Sequence, residues 1–283
     1  MPRVIAVVVA YREPGLLASL LQSLSAQTRP PDDVIVVDNG GDAETRKLFD
    51  PPRPGVEYVP LRENAGSAGG YHEGVKRALA DADYVLTLDD DVAPEPGCVA
   101  ALLEGFERLS ASRKVGAVRA VGPRHEDREP TPLDVAPWRG TLFSAAAARE
   151  AGPPDPTFFI YGEDLEYSLR LRRLGYEFFW IPGAVCPERR QGKTDDVFLG
   201  RPARIYPSAF RLYYALRNEL LVYRAYAMRG AALRVLLYAV KVGVYLVARE
   251  GSRAGPKLRA VAAGVADGLR GRRGKNPDYL PAA

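Results

Sequence analysis

The segment Tyr84-Val85-Leu86-Thr87-Leu88-Asp89-Asp90-Asp91 is an apolar run that ends directly in three carboxylates. Residues 84–88 of this run predict a buried strand. Three adjacent carboxylates repel one another, so a cation is the obvious reason to collect them. On an extended segment Asp89 and Asp91 project to the same side, which predicts an oxygen pair for Mg²⁺ or Mn²⁺. The alternative is an acidic helix-capping turn before Pro94.

Strand and helix patterns alternate on both sides of this segment. Further strands are predicted at residues 4–10, 34–37, 56–61, 115–121, 138–144 and 178–181. Helices are predicted at residues 14–26, 70–81, 99–109, 145–151, 163–174 and 208–249. Residues 126–137 and 188–207 predict loops, and the last thirty residues, rich in Gly, Arg and Ala, are expected to fray. The alternation predicts an α/β fold with a mostly parallel, Rossmann-like sheet flanked by helices, whose ligands bind beyond the carboxyl ends of the strands.

Charge is distributed unevenly along the 283 residues, whose net charge is +4. From Arg201 onward there are 16 Lys and Arg against 4 Asp and Glu, and residues 1–200 carry 23 basic and 31 acidic residues. An acidic front with a basic tail suggests two tasks, although Arg enrichment also follows from a GC-rich genome. The two cysteines give neither a disulfide framework nor a zinc pattern, so a reducing compartment fits best.

Two more polar motifs follow predicted strands. Asp38 can accept a hydrogen bond from a pyrimidine N3–H or a ribose hydroxyl, and the alternative is an Asx turn in Asp38-Asn39-Gly40-Gly41. Residues 64–70, Asn-Ala-Gly-Ser-Ala-Gly-Gly, let backbone approach a ligand closely. They also precede a helix whose amide end favours an anion.

The motif Gly162-Glu163-Asp164-Leu165-Glu166 opens a predicted helix after an apolar run. Carboxylates in a first turn are favoured by the helix dipole, so capping is one interpretation. The other is that Asp164, held by the apolar run against a substrate pocket, acts as general base toward a hydroxyl. No serine-histidine or cysteine-histidine nucleophile pattern is visible in the sequence.

Taken together, the motifs over roughly residues 3–190 resemble glycosyltransferase family 2, which has the GT-A type nucleotide-diphospho-sugar transferase fold. The resemblance rests on residues 4–12, 34–39, 64–70, 88–92 and 162–176. It is closer to bacterial rhamnosyltransferases and galactofuranosyltransferases, through Asn64-x-Gly66-x-x-Gly69-Gly70, the triple aspartate, Gly162-Glu163-Asp164-x-Glu166-Tyr167 and Tyr213-Tyr214-x-x-Arg217-Asn218. The expected organisation is a GT-A catalytic domain over residues 1–207 and a basic, largely helical C-terminal extension over residues 208–283.

The resemblance implies a role for each matching residue. The nucleotide would be bound by Tyr11, Arg12, Asp38, Asn64, Gly69 and Asp89. The sugar or the acceptor would be contacted by Asp90, Trp138 and Glu163, although Trp138 is equally well interpreted as a core residue. Asp164 would be the catalytic base. Asp89 and Asp91 would hold Mn²⁺ or Mg²⁺ and, through that ion, the diphosphate.

One departure from the family's pattern concerns the metal. The family often has a histidine ligand where this chain has Glu188, in Ile181-Pro182-Gly183-Ala184-Val185-Cys186-Pro187-Glu188. A glutamate oxygen suits Mn²⁺ or Mg²⁺, so Glu188 is a predicted third metal ligand. The departure also leaves open weaker metal dependence or a protein without activity.

The resemblance implies an inverting glycosyltransferase of cell-envelope polysaccharide synthesis. It would move a sugar, rhamnose or galactofuranose being favoured, from a UDP- or dTDP-sugar to a glycan or a polyprenyl-diphosphate-linked acceptor. The alternative is a catalytically impaired, nucleotide-sugar-binding or scaffolding relative. A sugar-phosphate nucleotidyltransferase is disfavoured, because the N-terminal region has no glycine-rich signature with a following lysine.

The C-terminal part favours a membrane surface. Residues 231–248 are apolar but include Arg234 and Lys241, seven apart on one helical face. A spanning helix would have to carry both charges, so an amphipathic helix on anionic lipid is preferred. The protein is then expected in the cytoplasm, peripheral on the inner face of the cell membrane. The alternative is helices packed on the catalytic domain or on a second subunit of a homo-oligomer, and no motif predicts a nucleic-acid partner.

Overall fold

The structure, a computed structural model, describes residues 1–123, 128–189, 196–198, 201–203 and 208–281. The chain divides into two units. The first comprises Met1–Pro156 and Asp164–Gln191, and the second comprises Thr157–Glu163 and Gly192–Ala283.

The first unit is built on an eight-stranded sheet. Its strands are β1 (Val4–Ala10), β2 (Asp33–Asp38), β3 (Val56–Pro60), β4 (Tyr84–Asp89), β5 (Val115–Val121), β6 (Thr131–Leu133), β7 (Thr141–Ser144) and β8 (Glu177–Val185), in the spatial order β3-β2-β1-β4-β7-β5-β8-β6. Strands β1 to β4 pair in parallel, as do β5 and β8, whereas β7 is antiparallel to both β4 and β5. The carboxyl ends of β1, β2, β4 and β5 therefore lie on one edge of the sheet.

Helices cover both faces of this sheet. They are α1 (Pro14–Ser25), α2 (Ala43–Lys47), α3 (Gly66–Ala78), α4 (Cys98–Ser110), α5 (Ala145–Ala151) and α6 (Glu163–Arg173). Alternate residues of β1 enter two cores, one shared with α1 and α4 and the other with α3, α5 and α6. The predicted α/β sheet with flanking helices is confirmed.

Helix α3 begins at Gly66, four residues before the predicted start, because its glycines serve packing as well as turning. A Cβ atom on Gly70 would lie 2.6 Å from Cγ1 of Val9, and one on Gly74 would lie 2.3 Å from Cγ1 of Val7. The helix therefore approaches β1 more closely than side chains at these positions would allow. What the sequence presents as a turn is in large part the first turns of a helix.

Two predicted loops contain strands. Residues 131–133 of the predicted loop 126–137 form β6, which pairs antiparallel with β8 at the edge of the sheet, where Pro132 is tolerated. Residues 124–127 lie outside the described residues. Within the predicted loop 188–207, β9 (Asp196–Phe198) and β10 (Arg201–Ala203) form an antiparallel pair. Both predictions were wrong because polar and proline-rich composition does not prevent backbone pairing of three residues.

The second unit contains α7 (Ala209–Ala225), α8 (Arg229–Glu250) and α9 (Gly255–Arg270). The predicted helix over 208–249 is thus two helices, separated near Ala227, whose φ is +56°. The expectation that the last thirty residues fray was wrong, because α9 packs tightly on α7. A Cβ atom on Gly264 would lie 2.7 Å from the carbonyl oxygen of Tyr213, and one on Gly268 would lie 2.8 Å from that of Arg217. Among the described residues, one helical run, Arg229–Arg270, is long and apolar enough to cross a membrane by length and composition.

Candidate active site

Asp38 lies at the carboxyl end of β2, completely buried. Its carboxylate accepts hydrogen bonds from the N–H groups of Gly40 (3.0 Å) and Gly41 (2.8 Å) and from the hydroxyl of Tyr58 (2.6 Å). Burial and the bond to Asp38 raise the pKa of Tyr58 to about 12, so Tyr58 stays a neutral donor. The Asx-turn contacts are present, and contact between Asp38 and a nucleotide stays a prediction.

The glycine-rich segment is tied to the end of β2. The Asn39 side-chain oxygen accepts from the Ala65 N–H (2.8 Å), and the Asn64 side-chain oxygen accepts from the Gly66 N–H (2.8 Å). A Cβ atom on Gly69 would lie 2.4 Å from the Cβ atom of Ala65, so the first turn of α3 requires glycine at this position. Asn64 and Gly69 thus shape the start of α3, and their contact with a nucleotide stays a prediction.

The triple aspartate follows β4 and is tied to three neighbouring segments. Asp90 accepts from the backbone N–H of Tyr11 at the end of β1 (2.8 Å), Asp89 accepts from the hydroxyl of Tyr71 on α3 (2.7 Å), and the Asp91 carbonyl accepts from the Arg189 N–H (2.7 Å). The next residue along from Tyr11, Arg12, adopts φ +56° at the same strand end. The residues predicted to hold the nucleotide and the metal are therefore brought to one edge.

Asp89 and Asp91 fit a divalent cation by their chemistry. Both are partly exposed, and the pKa of Asp89 is raised by burial and, to a smaller extent, by the nearby negative charge of Asp91. A hard cation would relieve that repulsion, and oxygens of a diphosphate and of water would supply its remaining ligands. Over the described part of the chain, no group of three or more His, Cys, Asp or Glu side chains is arranged to hold a metal.

The backbone of Glu188 lies beside the segment that follows the triple aspartate. Its backbone forms an antiparallel bridge with Val92, and the Ala93 N–H donates to the carbonyl of the preceding residue, Pro187 (3.0 Å). The Glu188 carboxylate forms an ion pair with Arg139. A metal would compete with Arg139 for this carboxylate, so the ligand role of Glu188 stays a prediction.

Asp164 lies in the first turn of α6, where its carboxylate accepts from the Leu165 N–H (2.8 Å). Burial raises the pKa of Asp164, while that backbone bond and the positive charge of Arg119 act in the opposite direction. The charge of Asp164 in turn raises the pKa of Asp89, so the two carboxylates interact electrostatically. A carboxylate with a raised pKa is a stronger base, as proton removal requires.

Arg119 is a charged residue near Asp89 and Asp164 that the sequence analysis did not single out. It lies on β5 with its guanidinium 4.3 Å from the ring centre of Trp180, and its Nε donates to the carbonyl of Arg139 (3.2 Å). Burial, with the positive charge of Arg139, lowers the pKa of Arg119 to about 10, while Asp164 and Asp89 oppose this shift. A lone charge inside the apolar strand Val115–Val121 is the signal that could have identified it.

Trp138 is buried in an aromatic cluster formed with Tyr71, Phe143 and Tyr167. Its ring stacks on Tyr71 at 4.8 Å between centroids and lies 5.6 Å from Phe143 and 5.2 Å from Tyr167. Only 5% of its surface is exposed, as the core interpretation predicts. Its contact with a sugar or acceptor stays a prediction.

In the second unit, a buried Arg-Asn pair on α7 holds the segment that leads to Glu163. Asn218 Nδ2 donates to the carbonyls of Phe158 (2.9 Å), Ile160 (2.8 Å) and Tyr161 (2.7 Å), and Arg217 also donates to that of Phe158 (3.0 Å). Tyr161 adopts φ +67°, which side-chain bonds of this kind stabilise. Glu163 is itself buried, and its contact with a sugar stays a prediction.

Known proteins match this chain over most of its length. The profile of "Glycosyl transferase family 2" matches residues 5–158. Galactofuranosyltransferase GlfT1 of Mycobacterium tuberculosis is 33% identical over 262 residues, covering 83% of this chain and 84% of its own. N-acetylglucosaminyl-diphospho-decaprenol L-rhamnosyltransferase of the same organism is 26% identical over 245 residues, covering 69% and 78%.

Two solved structures share the fold. The mannosyltransferase PcManGT from Pyrobaculum calidifontis, in complex with GDP-Man and Mn²⁺, superposes with a TM-score of 0.58 at 17% identity and covers 95% of this chain and 87% of its own. GalNAc-T7 with UDP, GalNAc and Mn²⁺ gives a TM-score of 0.60 at 12% identity and covers 79% of this chain and 48% of its own. The fold is of the GT-A type, and the chain is a glycosyltransferase that belongs to glycosyl transferase family 2.

Proposed function

We propose that this enzyme transfers a sugar, with inversion, from a UDP- or dTDP-sugar to a glycan or lipid-linked acceptor in cell-envelope polysaccharide synthesis. The observation that carries the proposal is the sheet edge at which Asp89 and Asp90, at the end of β4, are hydrogen-bonded to Tyr71 and to the end of β1. Asp164 is near enough to this edge for its charge to raise the pKa of Asp89. The names of the relatives favour galactofuranose or rhamnose as the sugar and a polyprenyl diphosphate as the acceptor's carrier.

The residues divide the reaction between them. Asp164 accepts the proton of the acceptor hydroxyl as its oxygen attacks the anomeric carbon from the face opposite the diphosphate. The bond to the diphosphate breaks as the new bond forms, so the configuration inverts without a covalent intermediate. Asp89 and Asp91 would hold a Mn²⁺ or Mg²⁺ ion, which would neutralise the charge on the leaving diphosphate.

A donor screen tests this function. Wild-type protein is heated with a panel of UDP- and dTDP-sugars in Mn²⁺, and unfolding is followed by fluorescence. A ligand at 100 times its Kd stabilises the folded state by about 2.7 kcal/mol, which raises the melting temperature by several degrees. We expect one base and one sugar to stand out. A panel that gives no shift with any nucleotide sugar would count against the proposal.

The ion pair between Glu188 and Arg139 favours a second candidate, a catalytically impaired relative that binds a nucleotide sugar without transferring the sugar. The two candidates differ in turnover. A donor that stabilises the protein but is neither transferred nor hydrolysed, with a range of glycan and lipid acceptors, supports the second candidate.

The pH dependence of kcat/KM is expected to report Asp164. The base must be ionised, so activity is lost as pH falls through the raised pKa of Asp164, and the midpoint lies above the ordinary aspartate value of about 3.9. Because Arg119 holds this pKa down, Arg119→Gln should move the acid limb to higher pH. Arg108→Gln, an exposed change on α4, is the control. An acid limb that does not move in Arg119→Gln argues against Asp164 as the titrating base.

We further propose that α8 binds an anionic membrane surface, the inner face of the cell membrane. Its exposed large apolar residues are Leu233, Leu237, Val240, Val244 and Val247, each between 55% and 66% exposed. They recur at spacings of four and three residues and form a single stripe, named here the α8 stripe. The opposite side of α8, including Val235, Val242 and Leu246, is buried against the other helices of the second unit.

The basic residues around the α8 stripe favour an anionic lipid surface over a second copy of the chain as its partner. The exposed charged residues of α8 are Arg229, Arg234, Lys241 and Arg249, all of them basic. Two copies joined through the stripe would bring like charges together, whereas phosphate headgroups complement them. One face of α8 is already packed against protein, so contact with a lipid surface fits this helix better than crossing a bilayer.

The double change Leu237→Glu and Val240→Glu is expected to weaken binding to phosphatidylglycerol vesicles at least about tenfold, because each apolar side chain contributes about 1.5–3 kcal/mol when buried. Co-sedimentation with vesicles measures this. Leu269→Glu, an exposed apolar position on α9, is the matched control. If the double change instead converts a dimer to a monomer and leaves vesicle binding intact, a second copy covers the stripe.

A further inference from the structure

Tyr71 is the one described side chain seen to donate a hydrogen bond to Asp89. Its hydroxyl lies 2.7 Å from Asp89 Oδ1, and its ring is completely buried. Asp89 also carries a charge that burial disfavours, and the Tyr71 bond acts against that effect. A hydrogen bond to an ionised group is stronger than one between neutral groups, so this contact restrains the carboxylate.

Both the backbone and the ring of Tyr71 are fixed by packing. It lies on α3 directly after Gly70, whose close contact with Val9 presses this turn of the helix onto β1. Its ring stacks on Trp138 with planes inclined by 22°. Because both its backbone and its ring are fixed, its hydroxyl has little freedom to follow Asp89 if that side chain rotates.

Tyr167 provides a built-in comparison. Its ring belongs to the same aromatic cluster, 5.2 Å from Trp138, and it is as deeply buried as Tyr71. Its hydroxyl, however, has no hydrogen-bond partner among the described residues. The two tyrosines of this cluster therefore differ in one respect: the Tyr71 hydroxyl donates to Asp89, and the Tyr167 hydroxyl makes no hydrogen bond to the described residues.

We propose that Tyr71 is a positioning residue, which fixes the Asp89 carboxylate in the orientation that receives the nucleotide diphosphate and its cation. The inference rests on the proposed function, because it takes Asp89 to be a ligand-binding residue. Without the hydroxyl, the Asp89 carboxylate can rotate among its side-chain rotamers, and binding must then select one of them. The nucleotide affinity falls while the fold is kept.

The test compares Tyr71→Phe with Tyr167→Phe by calorimetric titration with UDP and with dTDP in Mn²⁺. We expect Tyr71→Phe to weaken binding of the preferred nucleotide by about tenfold and Tyr167→Phe to stay within about twofold of wild type. Both variants keep their rings, so both should unfold within a few degrees of wild type. Equal affinities in the two variants would overturn the inference.

A second titration separates positioning from a general structural effect. In an Asp89→Asn background the carboxylate that Tyr71 orients is gone, so adding Tyr71→Phe should change the residual affinity by less than about twofold. A further tenfold loss would show that Tyr71 acts by another route and would contradict the inference. If wild type binds neither nucleotide, the proposed function fails and the inference with it. If wild type binds and Tyr71→Phe is unaffected, only the inference fails.

Discussion

The Asp164→Asn variant is expected to lose about 10²- to 10⁴-fold in kcat, the contribution typical of a positioned general base. Asparagine keeps the shape of the side chain and can still accept the Leu165 N–H bond. It cannot take up a proton from the acceptor hydroxyl. Donor binding, measured by calorimetry in Mn²⁺, should change by no more than a few fold, because the diphosphate is assigned to Asp89 and Asp91.

The control for this prediction is Asp134→Asn. Asp134 is 94% exposed and pairs with Arg172 at the surface. The control therefore makes the same chemical change outside the candidate active site. Its turnover should match wild type. Asp164 is not the base if Asp164→Asn turns over at close to the wild-type rate.

The Asp91→Asn variant is expected to lose about 10²- to 10³-fold in kcat/KM, since charge neutralisation by a bound cation is worth several kcal/mol. Its affinity for a nucleotide diphosphate in Mn²⁺ should fall toward the value in EDTA. A raised Mn²⁺ concentration should recover part of the activity, because the loss is one of metal affinity.

Two further variants make this prediction specific. Asp81→Asn removes an exposed carboxylate that pairs with Arg3, and it should leave the Mn²⁺ dependence unchanged. Glu188→Gln addresses the departure from the family pattern. If Glu188 mainly forms the ion pair with Arg139, the Mn²⁺ dependence of Glu188→Gln stays close to wild type. If Glu188→Gln loses activity and Mn²⁺ affinity as Asp91→Asn does, Glu188 is a metal ligand. Wild-type Mn²⁺ dependence in Asp91→Asn would remove Asp91 from the metal site.

The sheet was largely predictable because its strands are continuous apolar runs. The bounds of β1 and β5 agree with the prediction, and the bounds of β4 differ by one residue. The start of α3 was misplaced because its glycines resemble a turn, while their closeness to β1 is a tertiary contact. Helix α9 was missed for a related reason: Gly264 and Gly268 weaken the helical pattern locally, and their contacts with α7 stabilise the helix across the unit.

The site was predictable only as far as strand ends reveal it. Asp38 and Asp89 follow apolar runs, so a common edge could be inferred from the topology of a parallel sheet. The bond from Tyr71 to Asp89 could not, because it joins residues 18 apart on different elements. The same holds for the ion pair between Glu188 and Arg139, which depends on the bridge beside Val92.

The most direct test of the proposed metal-bridged diphosphate is a calorimetric titration of the wild-type enzyme with UDP and with dTDP, in Mn²⁺ and in EDTA. If carboxylates at the sheet edge bind the diphosphate through a cation, one nucleotide binds in Mn²⁺ and its affinity falls at least about 100-fold in EDTA, a change of about 2.8 kcal/mol. Equal affinity in Mn²⁺ and EDTA would contradict that arrangement.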